Sequence, residues 1–389
     1  MNTKVVRVLY GLIFAAALVL GLDIASGYFL FFYQNIFATT NIWAPGGREY
    51  LAYSPGATPI VSVMTTLADH IRATRNPPSP AQITGDDFRP LLSRDEELGW
   101  SARPGSYNFV FGPADVEGAS LYHDWSVTIR EDGSRATSRK PVDAPNALHV
   151  FGDSWIFGWG LDDEFTLGWQ LQSEFRDRFR VSTHASGGWG HLQGLINFRR
   201  IKSELTRGDI VLFGYAQFLL PRNAPHPSVI ASLAEGLASY AERPDRPLLY
   251  PRATVSGGKI DIDLLPLDCA RVAGYCDQPD FSLEEIEDIT MRIFDEIIDS
   301  TEATLILLHM DGPDDRVIQH LRSRNVTIVD GRPPADLYVH DTMAPYDAHP
   351  GPINNHYWFT KLRPEIDRLI QAHLRTDRRR SLPQGYIRS

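Results

Sequence analysis

Three segments that read as buried strands, Asp209 to Ala216, Ala303 to Met310 and Val326 to Asp330, alternate with three stretches of helical periodicity, Ser228 to Ala241, Leu283 to Asp299 and Asp314 to Arg324. A strand apolar on both sides has to be covered on both sides, and strands joined through helices run parallel. The alternation therefore predicts an α/β fold, a doubly wound parallel sheet with helices on both faces. Two more strand-like runs, Ala147 to Val150 and Phe179 to Thr183, come earlier in the chain.

A sheet of this kind places its chemistry beyond the carboxyl ends of its strands. Directly after the first run stands Phe151-Gly152-Asp153-Ser154-Trp155, and Asp347-Ala348-His349-Pro350 lies in a loop just before the helix-like run Tyr357 to Leu374. A serine hydroxyl is a poor nucleophile until an imidazole removes its proton, and the imidazole works best when a carboxylate orients it. Ser154, His349 and Asp347 supply those three types, with Asp341 as the alternative acid and His356 as the alternative base. Read locally, Asp153-Ser154 is equally a turn and a helix N-cap.

The company these residues keep narrows the choice. Leu148 to Gln172, including Gly158-Trp159-Gly160, resembles the first block of the SGNH (GDSL-type) esterase and acyltransferase superfamily. Ala185-Ser186-Gly187-Gly188-Trp189-Gly190-His191-Leu192-Gln193 is similar to the second block, and Asp347 to Pro350 to the last, so the resemblance spans Asn146 to Arg375. It implies a flavodoxin-like version of the sheet, with Ser154 as nucleophile, His349 as base and then acid, and Asp347 as orienting carboxylate. The backbone N–H groups of Ser154 and Gly188 would face the developing oxyanion, where glycine lets the backbone come close.

The third block departs from the family. Where Gly-x-Asn-Asp is expected the chain reads Gly214-Tyr215-Ala216-Gln217, and Thr183 replaces an asparagine usual near the second block. Gln217 either ends a strand or supplies a side-chain amide from one position along, and Arg222-Asn223 is the other source of such a group. Trp155, Trp159 and Trp189 flank the proposed site and either stack on sugar rings or pack in the core. Trp155, Trp189 and Asn223 are thus the substrate-binding residues the sequence suggests.

The N-terminus carries Lys4 and Arg7 ahead of an apolar run from Val8 to Leu22, interrupted by Asp23 and resumed from Ile24 to Tyr33. About 25 apolar residues suffice to cross a bilayer, and the basic leading segment predicts a cytoplasmic start with the remainder periplasmic or extracellular. Cleavage after Ser26, giving a soluble secreted lipase, is the alternative. Cys269 and Cys276, the only two cysteines, read as a local disulfide in an oxidising compartment or as two free thiols. Two cysteines fall short of a zinc site, and no phosphate-binding glycine loop occurs, so neither metal nor cofactor is expected. The net charge of −10 argues against a nucleic-acid binder, which gains its affinity by neutralising phosphates.

The expected organisation is a cytoplasmic stub and anchor over 1–35, a helical linker and β-rich lead-in over 36–145, an SGNH-like domain over 146–375 with an insert at 245–281, and a basic tail over 376–389. The linker includes a helical run at Ile60 to Ala73. The lead-in alternates at Trp125 to Arg130, and the insert holds a hairpin over Ala253 to Asp263. The function expected is a membrane-anchored serine esterase acting on O-acyl esters of a glycan or lipid. An O-acyltransferase, or a non-catalytic binding or scaffold module of an envelope assembly, is the rival reading.

Overall fold

The structure is a computed structural model that describes residues 82–83, 90–116, 119–237, 248–267, 281–334, 341–342 and 348–381, all within one compact unit, Ser79–Ser389. The expected membrane segment, the helix at Ile60 to Ala73, both cysteines and Asp347 lie outside the described residues. Among the described residues no helix is long and apolar enough to cross a membrane.

The lead-in is built from strands β1 (Gln82–Ile83), β2 (Leu92–Asp95), β3 (Gly99–Ala102), β4 (Gly105–Val116) and β5 (Ala119–Ile129). β2 and β3 form one antiparallel hairpin, β4 and β5 a longer one, and β1 pairs with β4. Phe109 and Trp125 sit opposite each other across the long hairpin with rings stacked at 4.5 Å, the cross-strand pairing that stabilises a sheet face.

The main sheet contains β6 (Asn146–Gly152), β7 (Phe179–Ala185) and β8 (Ile210–Ala216). After the insert hairpin, β9 (Leu249–Ser256) and β10 (Lys259–Pro266), it is completed by β11 (Thr304–Asp311) and β12 (Thr327–Asp330). All four pairings are parallel and the spatial order is β12-β11-β8-β6-β7. Numbered along the chain this is 2-1-3-4-5, the flavodoxin-like winding, whose direction reverses between β6 and β8. Arg135 links lead-in and sheet, bridging Ile129 at the end of β5 and Thr183 of β7.

The helices are α1 (Ser154–Phe157), α2 (Leu167–Phe175), α3 (His191–Ile201), α4 (Pro227–Leu237), α5 (Leu283–Asp299), α6 (Arg316–Ser323) and α7 (Pro352–Ser381). Successive β8 residues serve opposite faces. Phe213 stacks on Phe151 and meets Phe294 of α5 edge-on, while Gly214 lies against Ile156 and Met310. Each such buried ring contributes about 1.5–3 kcal/mol relative to exposure. On the Trp358 side, Gly331 packs on that indole, which also stacks on Trp155.

The insert hairpin turns through Gly257 and Gly258, both at positive φ. α7 starts earlier than its apolar pattern suggests, at Pro352, and continues past Arg375. Proline is pre-shaped for a first helical turn. The cap for that turn comes from outside the helix: the Asp341 carboxylate accepts the Asn354 N–H from thirteen positions away.

Candidate active site

The turn after β6 places the serine. Asp153 is the N-cap of α1, its Oδ1 accepting the Trp155 N–H at 3.1 Å, and the four-residue helix ends on Gly158 in the left-handed region at φ 77°. Ser154 thus opens a helix at the carboxyl end of β6, at the reversal of strand order, where open α/β sheets place their ligands. His349 comes from the loop before α7, and its Nε2 lies 2.8 Å from Ser154 Oγ. The two side chains are 5% and 3% exposed.

Trp159 ties the second glycine-rich segment to this pair. Its ring centroid is 6.3 Å from that of His349, and its six-membered ring lies where a side chain on Gly187 would begin. Gly188 has φ 78°, and a Cβ there would come within 3.0 Å of Trp100. Only glycine takes that conformation without strain. Three successive carbonyls of this loop each accept from a different element. Trp100 Nε1 of β3 donates to Gly187 O at 3.0 Å, Tyr250 Oη of β9 to Gly188 O at 3.2 Å, and Arg222 Nη1 to Trp189 O at 2.9 Å. Burial pushes the Tyr250 hydroxyl up to about 12, so it stays a donor at any ordinary pH.

Behind the serine sits a buried ion pair, Asp153 Oδ2 to Arg222 Nη1 at 3.7 Å. Burial raises the Asp153 carboxyl above its ordinary value, against the opposing charges of Arg222 and then His349. Arg222 also stacks over Phe218.

The remaining sequence candidates fall as follows. Asp341, the alternative acid, takes the Asn354 N–H on its carboxylate and the Gly351 N–H on its backbone carbonyl, so it anchors the start of α7. His356 lies outward on α7, bonded through Nδ1 to Gln170. Asn223 is fully buried: its Oδ1 accepts the Leu192 N–H, and its amide nitrogen contacts His191 and donates to Thr290. Trp155 and Trp189, each 4% exposed, present no open face to a sugar. The first stacks between Phe218 and Trp358, and the second donates to Trp100 O. Gln217 opens a 3-10 turn, Gln217–Arg222, and packs against Gly312 after β11, on the side of β8 away from β6.

Sequence reasoning did not single out Trp100, Tyr250 or Arg135. Each reaches the site through a distant element, and none carries a local motif. Arg135 is a buried fork that donates to the carbonyls of Phe157, Gly158, Leu161 and Ser126 and pairs with Asp163 at 2.9 Å. Its signal in the sequence is only that of an arginine in a polar connection. No group of histidines, cysteines or carboxylates suited to a metal ion occurs among the described residues.

Fold and pair together define an α/β protein whose flavodoxin-like sheet carries a hydrogen-bonded serine and histidine at its switch point. No protein-family profile matches the chain, and no curated protein matches it. Among solved structures it is similar to TesA, at 14% identity and a TM-score of 0.33, covering 57% of this chain and 99% of that one. It is similar to EstA, a psychrotrophic esterase from Pseudoalteromonas sp. inhibited by monoethylphosphonate, at 12% identity, TM-score 0.34, covering 58% and 99%. A third is Axe2, an acetylxylan esterase from Geobacillus stearothermophilus, at 12% identity, TM-score 0.32, covering 58% and 96%. At these TM-scores the likenesses carry no argument about chemistry, which rests on this chain's own residues.

Proposed function

We propose that the chain is a serine esterase of SGNH type that cleaves O-acyl esters. The observation that carries the reading is the 2.8 Å contact between His349 Nε2 and Ser154 Oγ at the switch point of the sheet. His349 takes the Ser154 proton as Oγ attacks the ester carbonyl, then returns it to the departing alcohol. A water activated by the same imidazole releases the acyl group. Asp347, two residues before His349, is assigned as the carboxylate that orients the imidazole. The N–H groups of Ser154 and Gly188 are assigned to the oxyanion, and each such donor is worth a few kcal/mol in the transition state. The side-chain amide of Gln217 is given no part, because it packs toward β11.

The substrate class proposed is an O-acylated glycan or lipid outside the cytoplasm, reached from a membrane anchor at Val8 to Tyr33. That part rests on the basic-then-apolar N-terminus. Labelling the purified full chain with a fluorophosphonate and mapping the adduct by mass spectrometry tests the nucleophile. An adduct on Ser154 that disappears in His349→Ala is expected, and labelling elsewhere, or none, would remove the basis of the reading.

A further inference from the structure

The Gly187-Gly188 peptide has little intrinsic reason to keep its orientation. Two consecutive glycines sample positive and negative φ about equally, so the plane between them is free to flip unless something outside holds it. A trans peptide is planar, with its C=O and the following N–H pointing in opposite directions. Whatever holds the Gly187 carbonyl therefore also aims the Gly188 N–H.

The group that holds it is the indole of Trp100, whose Nε1 donates to Gly187 O at 3.0 Å. Trp100 is fully buried in β3, packs on Tyr250 with ring centroids 5.5 Å apart, and lies closest to the Gly188 Cα substituent position at 3.0 Å. The loop returns the contact, since Trp189 Nε1 donates to Trp100 O at 3.2 Å. A flipped Gly187-Gly188 peptide would leave the indole N–H without this acceptor in a dry interior, which is unfavourable.

We propose that Trp100, supplied by the lead-in rather than by the sheet domain, is a positioning residue that fixes the Gly188 N–H for the oxyanion. The proposal rests on the reading of that N–H as an oxyanion donor. It gives the lead-in a catalytic role beyond covering the sheet: a chain truncated before β6 would keep Ser154 and His349 but lose the group that aims the second donor.

The test removes the indole N–H while keeping an aromatic ring. In the full chain, Trp100→Phe is compared with replacement of Trp100 by benzothienylalanine, which has the indole's shape with sulfur in place of N–H and secures the comparison if the phenylalanine variant folds poorly. Expected for hydrolysis of p-nitrophenyl acetate is a kcat lowered tenfold or more, short of the ~10²–10³ lost when an oxyanion donor is deleted, with KM changed less than about twofold. Inhibition by phenylboronic acid, which forms a tetrahedral anion on serine, should weaken in parallel. Hydrogen exchange of the 187–190 amides should quicken while that of β6 and β8 stays unchanged. Unaltered kcat and boronate inhibition, or a loss confined to KM, would overturn the proposal. If the wild type shows no Ser154-dependent hydrolysis, the esterase reading fails. Amide exchange then decides by itself whether Trp100 holds the peptide, and unchanged exchange overturns the proposal.

Discussion

Arg222 and Asp153 face each other at 3.7 Å in the protein interior, and each is also committed elsewhere, Arg222 to the Trp189 carbonyl and Asp153 to the Trp155 N–H. The pair joins the turn that carries Ser154 to the glycine-rich loop. Asp153 Oδ2 accepts no hydrogen bond, and Arg222 is the opposite charge facing it, so deleting the arginine strands a buried carboxylate. Arg222→Met should cost about 3–5 kcal/mol in urea unfolding, and Arg222→Met combined with Asp153→Asn should recover part of that. Additive losses would show that the two charges do not act on each other.

Asp341 and Asp347 are predicted to separate by phenotype. Asp341→Ala removes a helix cap and should cost about 0.5–2 kcal/mol of stability, with kcat changed less than about tenfold. Asp347→Asn should leave the melting temperature near wild type and lower kcat by about 10³–10⁴. The reverse pattern would make Asp341 the orienting acid.

One buried histidine, His191, and two half-buried ones, His149 and His184, should make the fold acid-sensitive. His149 and His184 touch through Nδ1 and Nε2 at 2.9 Å. Burial pushes His149 down to about 4 and His184 to about 3, and the neighbouring His149 adds to the drop at His184. Burial, reinforced by Arg222, takes His191 to about 3. Below pH 6.5 the unfolded chain binds protons that the folded chain refuses. Stability contributed by the neutral rings is therefore full above about pH 6.5 and is lost progressively as pH falls toward 3–4. Melting temperature followed from pH 7.5 to 4 should fall, and less steeply in His184→Phe. An identical slope in the variant would count against the pair.

Arg135→Lys tests the link from the lead-in to the turn over Phe157 to Leu161. A lysine cannot reproduce the guanidinium fork, which serves four carbonyls and Asp163 at once. The expected loss is at least ~2 kcal/mol, with faster hydrogen exchange over 157–161. Wild-type stability would mean that the fork is replaceable.

The parallel sheet was legible because β8 and β11 are apolar on both sides, and the helix over Leu283–Asp299 because its apolar stripe repeats with helical period. The Ser154 and His349 partnership was legible from residue type and from position beside strand ends. The start of α7 was not, since its cap is Asp341 rather than a neighbour in sequence. Nor were the tasks of Asn223, Trp155 and Trp189, whose polar or aromatic character suits a binding site as well as the core until packing is known. Trp100 and Arg135 were invisible for the same reason: their partners are backbone carbonyls, which carry no mark in a sequence.

Ser154 and His349 are proposed to work as one unit on an acyl ester. Steady-state hydrolysis of p-nitrophenyl acetate by the full chain, by Ser154→Ala, by His349→Ala and by the double variant tests it directly. Each single substitution should lower kcat by about 10³ or more, and the double variant should be no slower than the worse single. Wild-type kcat in either single variant, multiplicative losses in the double, or an inactive wild type would contradict it.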